Sequence, residues 1–121
     1  MTLKADRETY DKGQRPKFRV RITSGRKCTV DLGPKNLALT VTSGSDRIWS
    51  SADCARADGD TTRKISPHAP YETEVTWRRI RSHPDDCGGG ERQSARPGWY
   101  VVVAELGDSA SKRDVFQIVG A

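Results

Sequence analysis

Long apolar runs are missing from this 121-residue chain, histidine occurs only twice, and the motifs that usually carry catalysis are absent. Nothing approaches the roughly 20 consecutive apolar residues that a membrane-spanning helix needs. The opening Met1-Thr2-Leu3-Lys4-Ala5-Asp6 has no apolar signal-peptide core. The two histidines, His68 and His83, each lie close to proline in turn-like sequence, which leaves general-base chemistry few candidates. No Gly-x-Ser-x-Gly elbow, His-Glu-x-x-His pair or phosphate-cradling glycine loop occurs. The three cysteines, Cys28, Cys54 and Cys87, form no Cys-x-x-Cys pair, so neither a structural zinc site nor a thioredoxin-type motif is indicated. Helical periodicity also fails to persist beyond about two turns, which excludes a helical bundle.

What the chain does have is strand-like alternation. It is 34% hydrophobic and 31% charged, with a mean hydropathy of −0.74. Its apolar residues nevertheless cluster in short alternating runs, the mark of a folded chain and not of a disordered one. The length suits a single domain spanning 1–121. The run from Leu37 to Cys54 is the clearest. Leu37, Leu39 and Val41 alternate with small or polar residues, Ser43-Gly44-Ser45-Asp46 makes a turn, and Ile48-Trp49 restarts a strand that leads to a cysteine. Further strands are predicted at Thr2 to Asp6, Lys17 to Thr23, Cys28 to Leu32, Thr62 to Ile65, Tyr71 to Arg78, Trp99 to Leu106 and Val115 to Val119. Glu8 to Gln14 is expected to be a turn, and Ser82 to Pro97 the longest loop. The fold expected is all-β, an immunoglobulin-like antiparallel β-sandwich of about seven to nine strands.

The cysteines carry the best chemical clue. If successive strands reverse direction, Cys54 and Cys87 fall at one pole of the sandwich and Cys28 at the other, which favours a Cys54 to Cys87 disulfide. Pairing of either with Cys28, or three reduced thiols, are the alternatives. A bridge across that separation is worth about 3.5 to 4 kcal/mol in the chain-entropy model and implies an oxidising compartment. Cys28 would remain an odd thiol, buried or, less often, an intermolecular linker.

Charge gives a second clue, since the formal net charge is +5 and seven cations with no acid lie between Lys12 and Lys27. A stripe of Lys17, Arg19 and Arg21 opposite Phe18, Val20 and Ile22 could meet an anionic partner. The competing expectation is that Glu72 and Glu74, on the neighbouring strand, pair with those arginines. No helix-turn-helix, zinc finger or aromatic RNA-binding motif accompanies the charge, so specific nucleic-acid binding is not expected. In the long loop and its flanks, Arg78, Arg79, Arg81, Arg92 and Arg96 are candidate binding residues, together with Trp99. His83, Asp85 and Asp86 make a poor metal set, being confined to one irregular loop, and no metal or cofactor is expected. Trp77 continues the inward register of Tyr71, Thr73 and Val75. Trp99, Val101 and Val103 form a second apolar face beside Tyr100, Val102, Ala104 and Leu106, which points to a partner surface or an attached domain.

Tyr10 with Gly13, Arg47-Ile48-Trp49-Ser50, the strand Tyr71 to Trp77, and Pro97-Gly98-Trp99-Tyr100 before a valine-rich strand together resemble the immunoglobulin-like domain of the intracellular proteinase inhibitor family of bacilli. With its cysteines, in Cys28-Thr29-Val30-Asp31-Leu32-Gly33, Trp49 to Cys54 and Pro84-Asp85-Asp86-Cys87, the chain is similar to extracytoplasmic domains of actinobacteria. It differs in having Pro67-His68-Ala69-Pro70 where the family has a Pro-Gly turn. The resemblance implies a scaffold and names no reactive site. The expectation is a non-enzymatic extracytoplasmic interaction or scaffold module with a protein or cell-envelope polymer as partner. On this view it is an excised part of a longer secreted or membrane-anchored bacterial protein. The alternative is a proteinase inhibitor acting through the 79–97 loop.

Overall fold

A computed structural model of the chain describes residues 1–53, 61–84 and 93–120. Cys54, Cys87, Asp85, Asp86 and Arg92 lie outside the described residues. No helix occurs among those described, and eleven strands follow one another. They are β1 (Thr2–Ala5), β2 (Thr9–Tyr10), β3 (Lys17–Ile22), β4 (Cys28–Asp31), β5 (Leu37–Ser43), β6 (Asp46–Ser50), β7 (Thr62–Ile65), β8 (Tyr71–Thr76), β9 (Gly98–Leu106), β10 (Ser109–Ala110) and β11 (Asp114–Ile118). The fold is an all-β sandwich, as the alternation predicts. One sheet has the order β1-β3-β8, the second β2-β11-β9-β5-β6 with β10 added to β9, and β4 and β7 form a separate ribbon.

Two short strands exceed the predicted set. Thr9 and Tyr10 pair in parallel with Gln117 and Ile118, inside the segment expected to be only a turn. Ser109 and Ala110 fold back on β9 in the connection between the strands predicted at Trp99 to Leu106 and Val115 to Val119. Two-residue strands carry no readable period; only the distant partner strand decides them.

Alternation works in β3 because one face meets the core. Phe18, Val20 and Ile22 are buried and Lys17, Arg19 and Arg21 are exposed. Across the sandwich, Leu37, Leu39 and Val41 on β5, Tyr100, Val102 and Ala104 on β9, and Phe116 and Ile118 on β11 are buried. The sheets meet through aromatic rings. Phe116 lies 5.6 Å from Phe18, 5.6 Å from Tyr10, 5.7 Å from Tyr100 and 6.2 Å from Trp77, between centroids. Trp49 joins from the second sheet, 6.5 Å from Phe18 and 6.0 Å from Trp77.

Trp49 reaches that cluster because of a bulge. Val41 faces Trp49 and Thr42 faces Arg47, so Ile48 is an extra residue on β6. Without it, Trp49 and Arg47 would share one face; with it, Trp49 turns to the core and Arg47 to the other side. Gly44, at φ 60°, closes this β5–β6 hairpin in the left-handed region that a glycine enters without a Cβ clash.

The outer face of β3 is partly neutralised, as expected. Arg19 lies 3.8 Å from Glu74 and Arg21 lies 3.5 Å from Glu72, across directly paired positions. All four side chains are substantially exposed, so each pair adds little to stability. Phe116→Ala empties the centre of the aromatic cluster and is expected to cost about 3 to 5 kcal/mol. Urea unfolding of the two proteins measures the difference.

Candidate functional site at the base of the long loop

Chain leaving β8 is held to the sandwich at every step. The Trp77 N–H donates to the Pro16 carbonyl at 2.9 Å, and its buried indole N–H donates to the Ile80 carbonyl at 3.1 Å. Arg79 then takes φ 63°, a strained angle for a residue with a side chain. That angle turns the side chain inward. Its guanidinium donates to the carbonyls of Asp11 at 2.8 Å, Gln14 at 3.1 Å and Gly120, tying the β2–β3 turn to the end of β11.

The two feet of the long loop form a ladder. Ala95 N–H donates to the Arg79 carbonyl, Ile80 bridges Ser94, and Arg81 N–H donates to the Gln93 carbonyl. Ser82 docks this stem on β6: its N–H donates to the Ile48 carbonyl at 3.0 Å, and its Oγ accepts the Ser50 N–H at 3.2 Å.

Two acid–base pairs brace the stem. Asp53 is buried and takes both terminal nitrogens of Arg47, at 2.8 and 3.0 Å, and the Ser82 hydroxyl at 2.5 Å. Burial alone would raise the Asp53 carboxyl, but the Arg47 guanidinium and the Ser82 hydroxyl outweigh it and hold the group below the usual carboxylate range. Asp46 accepts both terminal nitrogens of Arg81, at 2.8 and 3.0 Å, and is lowered by that guanidinium. Between the hairpin tip and the stem lies a cleft of about 550 Å³, lined in part by Asp46, Ile48, Arg81, Ser94, Arg96 and Tyr100. The Tyr100 hydroxyl donates to the Arg96 carbonyl and ties the exit of the loop to β9.

The predicted binding residues therefore part company. Arg81 and Arg96 meet in the cleft, but Arg81 is committed to Asp46. Arg79 is only 8% exposed and its donors are used by carbonyls, so it is a brace and is not presented to a partner. Arg78 is exposed in the segment just after β8. Trp99 lies elsewhere, 63% exposed on the outer face of the second sheet, where its carbonyl accepts the Ser43 hydroxyl. Sequence reading gave Asp46 and Ser82 no role beyond a turn and a loop boundary and missed Asp53, because Asp46 lies 35 residues from Arg81 and Asp53 lies 29 from Ser82, and no local spacing announces that. Val115 and Val119 were read only as the ends of a strand, although they alternate with Phe116 and Ile118. Among the described residues no group of three histidine, cysteine or acidic side chains could hold a metal ion.

No protein-family model and no curated protein matches the chain. Among solved structures it is similar to part of a β-glucosidase from Erythrobacter marinus, at 15% identity and a TM-score of 0.56, over 98% of this chain and 15% of that one. Two structures of a β-glucosidase from Listeria innocua, one in complex with isofagomine, match at 14% and 13% identity, each with a TM-score of 0.44 over 98% of this chain and 16% of theirs. The chain thus spans only about 15% of the length of the Erythrobacter protein, and at that identity the likeness shows the fold alone.

Asp53 binds its proton less readily in the folded chain than in the unfolded one. Its contribution to stability is therefore complete above the ordinary value of 3.8 and is lost as pH falls through its lower folded value. Asp53→Asn is expected to lower stability at neutral pH and to flatten the acid limb of a stability-against-pH curve, measured by urea unfolding from pH 7 to pH 2.

Proposed function

We propose that this chain is a non-catalytic, extracytoplasmic interaction module of a bacterial envelope protein, and that it meets a folded partner domain through the outer face of its second sheet. One observation carries the reading. The three large apolar side chains most exposed among the described residues are Trp99, Val115 and Val119, at 63%, 52% and 51%, on β9, near the start of β11 and just past its end. Register makes them a patch: Trp99 lies opposite Gln117, and Val101 lies between Val115 and Thr42. Val103 and Thr40 extend it towards β5. In a chain that is 31% charged, this strip of Trp, Val, Thr and Gln is uncharged between Glu105 and Arg47, the latter held by Asp53, whereas the outer face of β3 and β8 is densely charged. A flat neutral apolar strip suits a protein surface better than an ionic polymer.

The Erythrobacter marinus β-glucosidase carries a similar fold as 15% of its chain, and the same standing, one module of a longer polypeptide, is proposed here. Hydroxyl-radical footprinting of Trp99 should show oxidation in the purified domain and protection when the protein sits in the envelope of the cell that makes it. Equal oxidation in both would remove the reading. Trp99→Ser should change folding stability by no more than about 0.5 kcal/mol, since exposed positions seldom matter to the fold.

The oxidising compartment rests on the proposed Cys54 to Cys87 bridge. What supports it is that Asp53, next to Cys54, is hydrogen-bonded to Ser82, in the strand foot that leads to Cys87. Cys28 is a free, half-buried thiol on β4. Intact mass after alkylation in denaturant, with and without reductant, is expected to show one reactive thiol without reductant and all three with it; three in both samples would sink the bridge and the compartment with it.

A proteinase inhibitor is the second reading, favoured by the laddered stem beneath the loop, since a braced loop loses little entropy on binding. Its basic bait would come from Arg78, Arg92 or Arg96, because Arg79 and Arg81 are engaged within the domain. A panel of serine and metalloproteases separates the readings: tight inhibition without cleavage would favour the inhibitor.

A further inference from the structure

The first sheet ends at β8, and the reason lies in the turn before it. β7 is the nearest strand in sequence that could cover that edge, yet it pairs with β4 from Cys28↔Ile65 to Asp31↔Thr62. Between β7 and β8 stands Pro67-His68-Ala69-Pro70, spanned by one bridge from Ser66 to Ala69. Prolines on both sides prevent a continuing ladder.

Hydrogen-bond alternation identifies which backbone groups are left over. The bond from Trp77 N–H to the Pro16 carbonyl sets the phase, so Val75, Thr73 and Tyr71 turn their backbone groups towards β3. The bond from Asp6 N–H to the Lys17 carbonyl agrees, because it directs Lys17, Arg19 and Arg21 to β1. The N–H and C=O groups of Glu72, Glu74 and Thr76 therefore face away from β3, and among the described residues no strand pairs with them.

Beneath this edge the core is open. Tyr71, Thr73 and Val75 are only half-buried, in contrast to Phe18, Val20 and Ile22 on the strand they pair with. They form one wall of a groove of about 230 Å³ whose other wall includes Leu32, Pro34 and Leu37. Along its outer side the same edge carries Glu72 and Glu74, whose bonds to Arg21 and Arg19 are long and exposed, leaving carboxylate oxygens for a second cation.

We propose that the free edge of β8 and the groove beneath it form a strand-addition site, which takes an extended segment of a partner protein with apolar residues at alternate positions and lysine or arginine between them. The segment's backbone bonds to Glu72, Glu74 and Thr76, its apolar side chains enter the groove over Val75 and Tyr71, and its cations lie beside Glu72 and Glu74. This site is separate from the Trp99 face and does not depend on it.

The test uses the whole chain and a synthetic heptapeptide of alternating valine and lysine, followed by amide hydrogen exchange. With saturating peptide, exchange at Glu72, Glu74 and Thr76 is expected to slow, while Tyr71, Thr73 and Val75, already bonded to β3, stay unchanged. A peptide methylated on its backbone nitrogens, or one with glutamate for lysine, should bind at least about tenfold more weakly. Glu74→Pro should keep the fold, because that N–H faces away from β3, and should weaken the peptide by a similar factor of about ten. Absence of binding, protection confined to other residues, indifference to methylation, or protection of those three amides before peptide is added would each overturn the proposal.

Discussion

Everything in this domain depends on the contact between its two sheets through the rings around Phe116. Phe18 from one sheet, Tyr10, Tyr100 and Phe116 from the other, and Trp77 from the strand exit fill the space that small aliphatic side chains would leave empty. With an apolar fraction of 34%, the chain concentrates its burial there. The bulge at Ile48 serves the same end, since it sends Trp49 into the cluster and frees Arg47 for Asp53.

Around that centre the fold is closed by polar braces. Arg79 gathers three carbonyls from the β2–β3 turn and the segment after β11, Asp53 gathers Arg47 and Ser82, and Asp114 accepts the Ala5 N–H at 2.7 Å at the end of β1. No described buried side-chain nitrogen or oxygen lacks a partner. These braces convert the longest connection into a stem seated on β6. They also consume two of the arginines that composition alone would offer to an anionic partner or a protease.

What remains uncommitted lies at the sandwich's margins. One is the neutral apolar strip of β9 and β11; the other is the β8 edge, left bare because β7 turns to β4. Both ends of the first sheet are edges, but the carboxylate of Asp114 takes one outward N–H of β1, at Ala5, whereas no such brace meets β8 among the described residues.

The sequence by itself determined the nine longer strands and their inward faces, and offered the cross-strand ion pairs as one of two readings of the basic stripe. A period of two fixes which side each residue takes once one face is apolar, as in Phe18, Val20 and Ile22, and the pairing of Arg19 with Glu74 and Arg21 with Glu72 follows from the register. It also marked Trp99 and its valines as a second apolar face. Only the tertiary structure decided the roles of Arg79, Arg81, Asp46 and Asp53, the two-residue strands, and the choice of β4 as the partner of β7. The physical reason is common to all of these. Each depends on groups far apart in the chain whose meeting is set by how the sheets close, and local pattern carries no record of that.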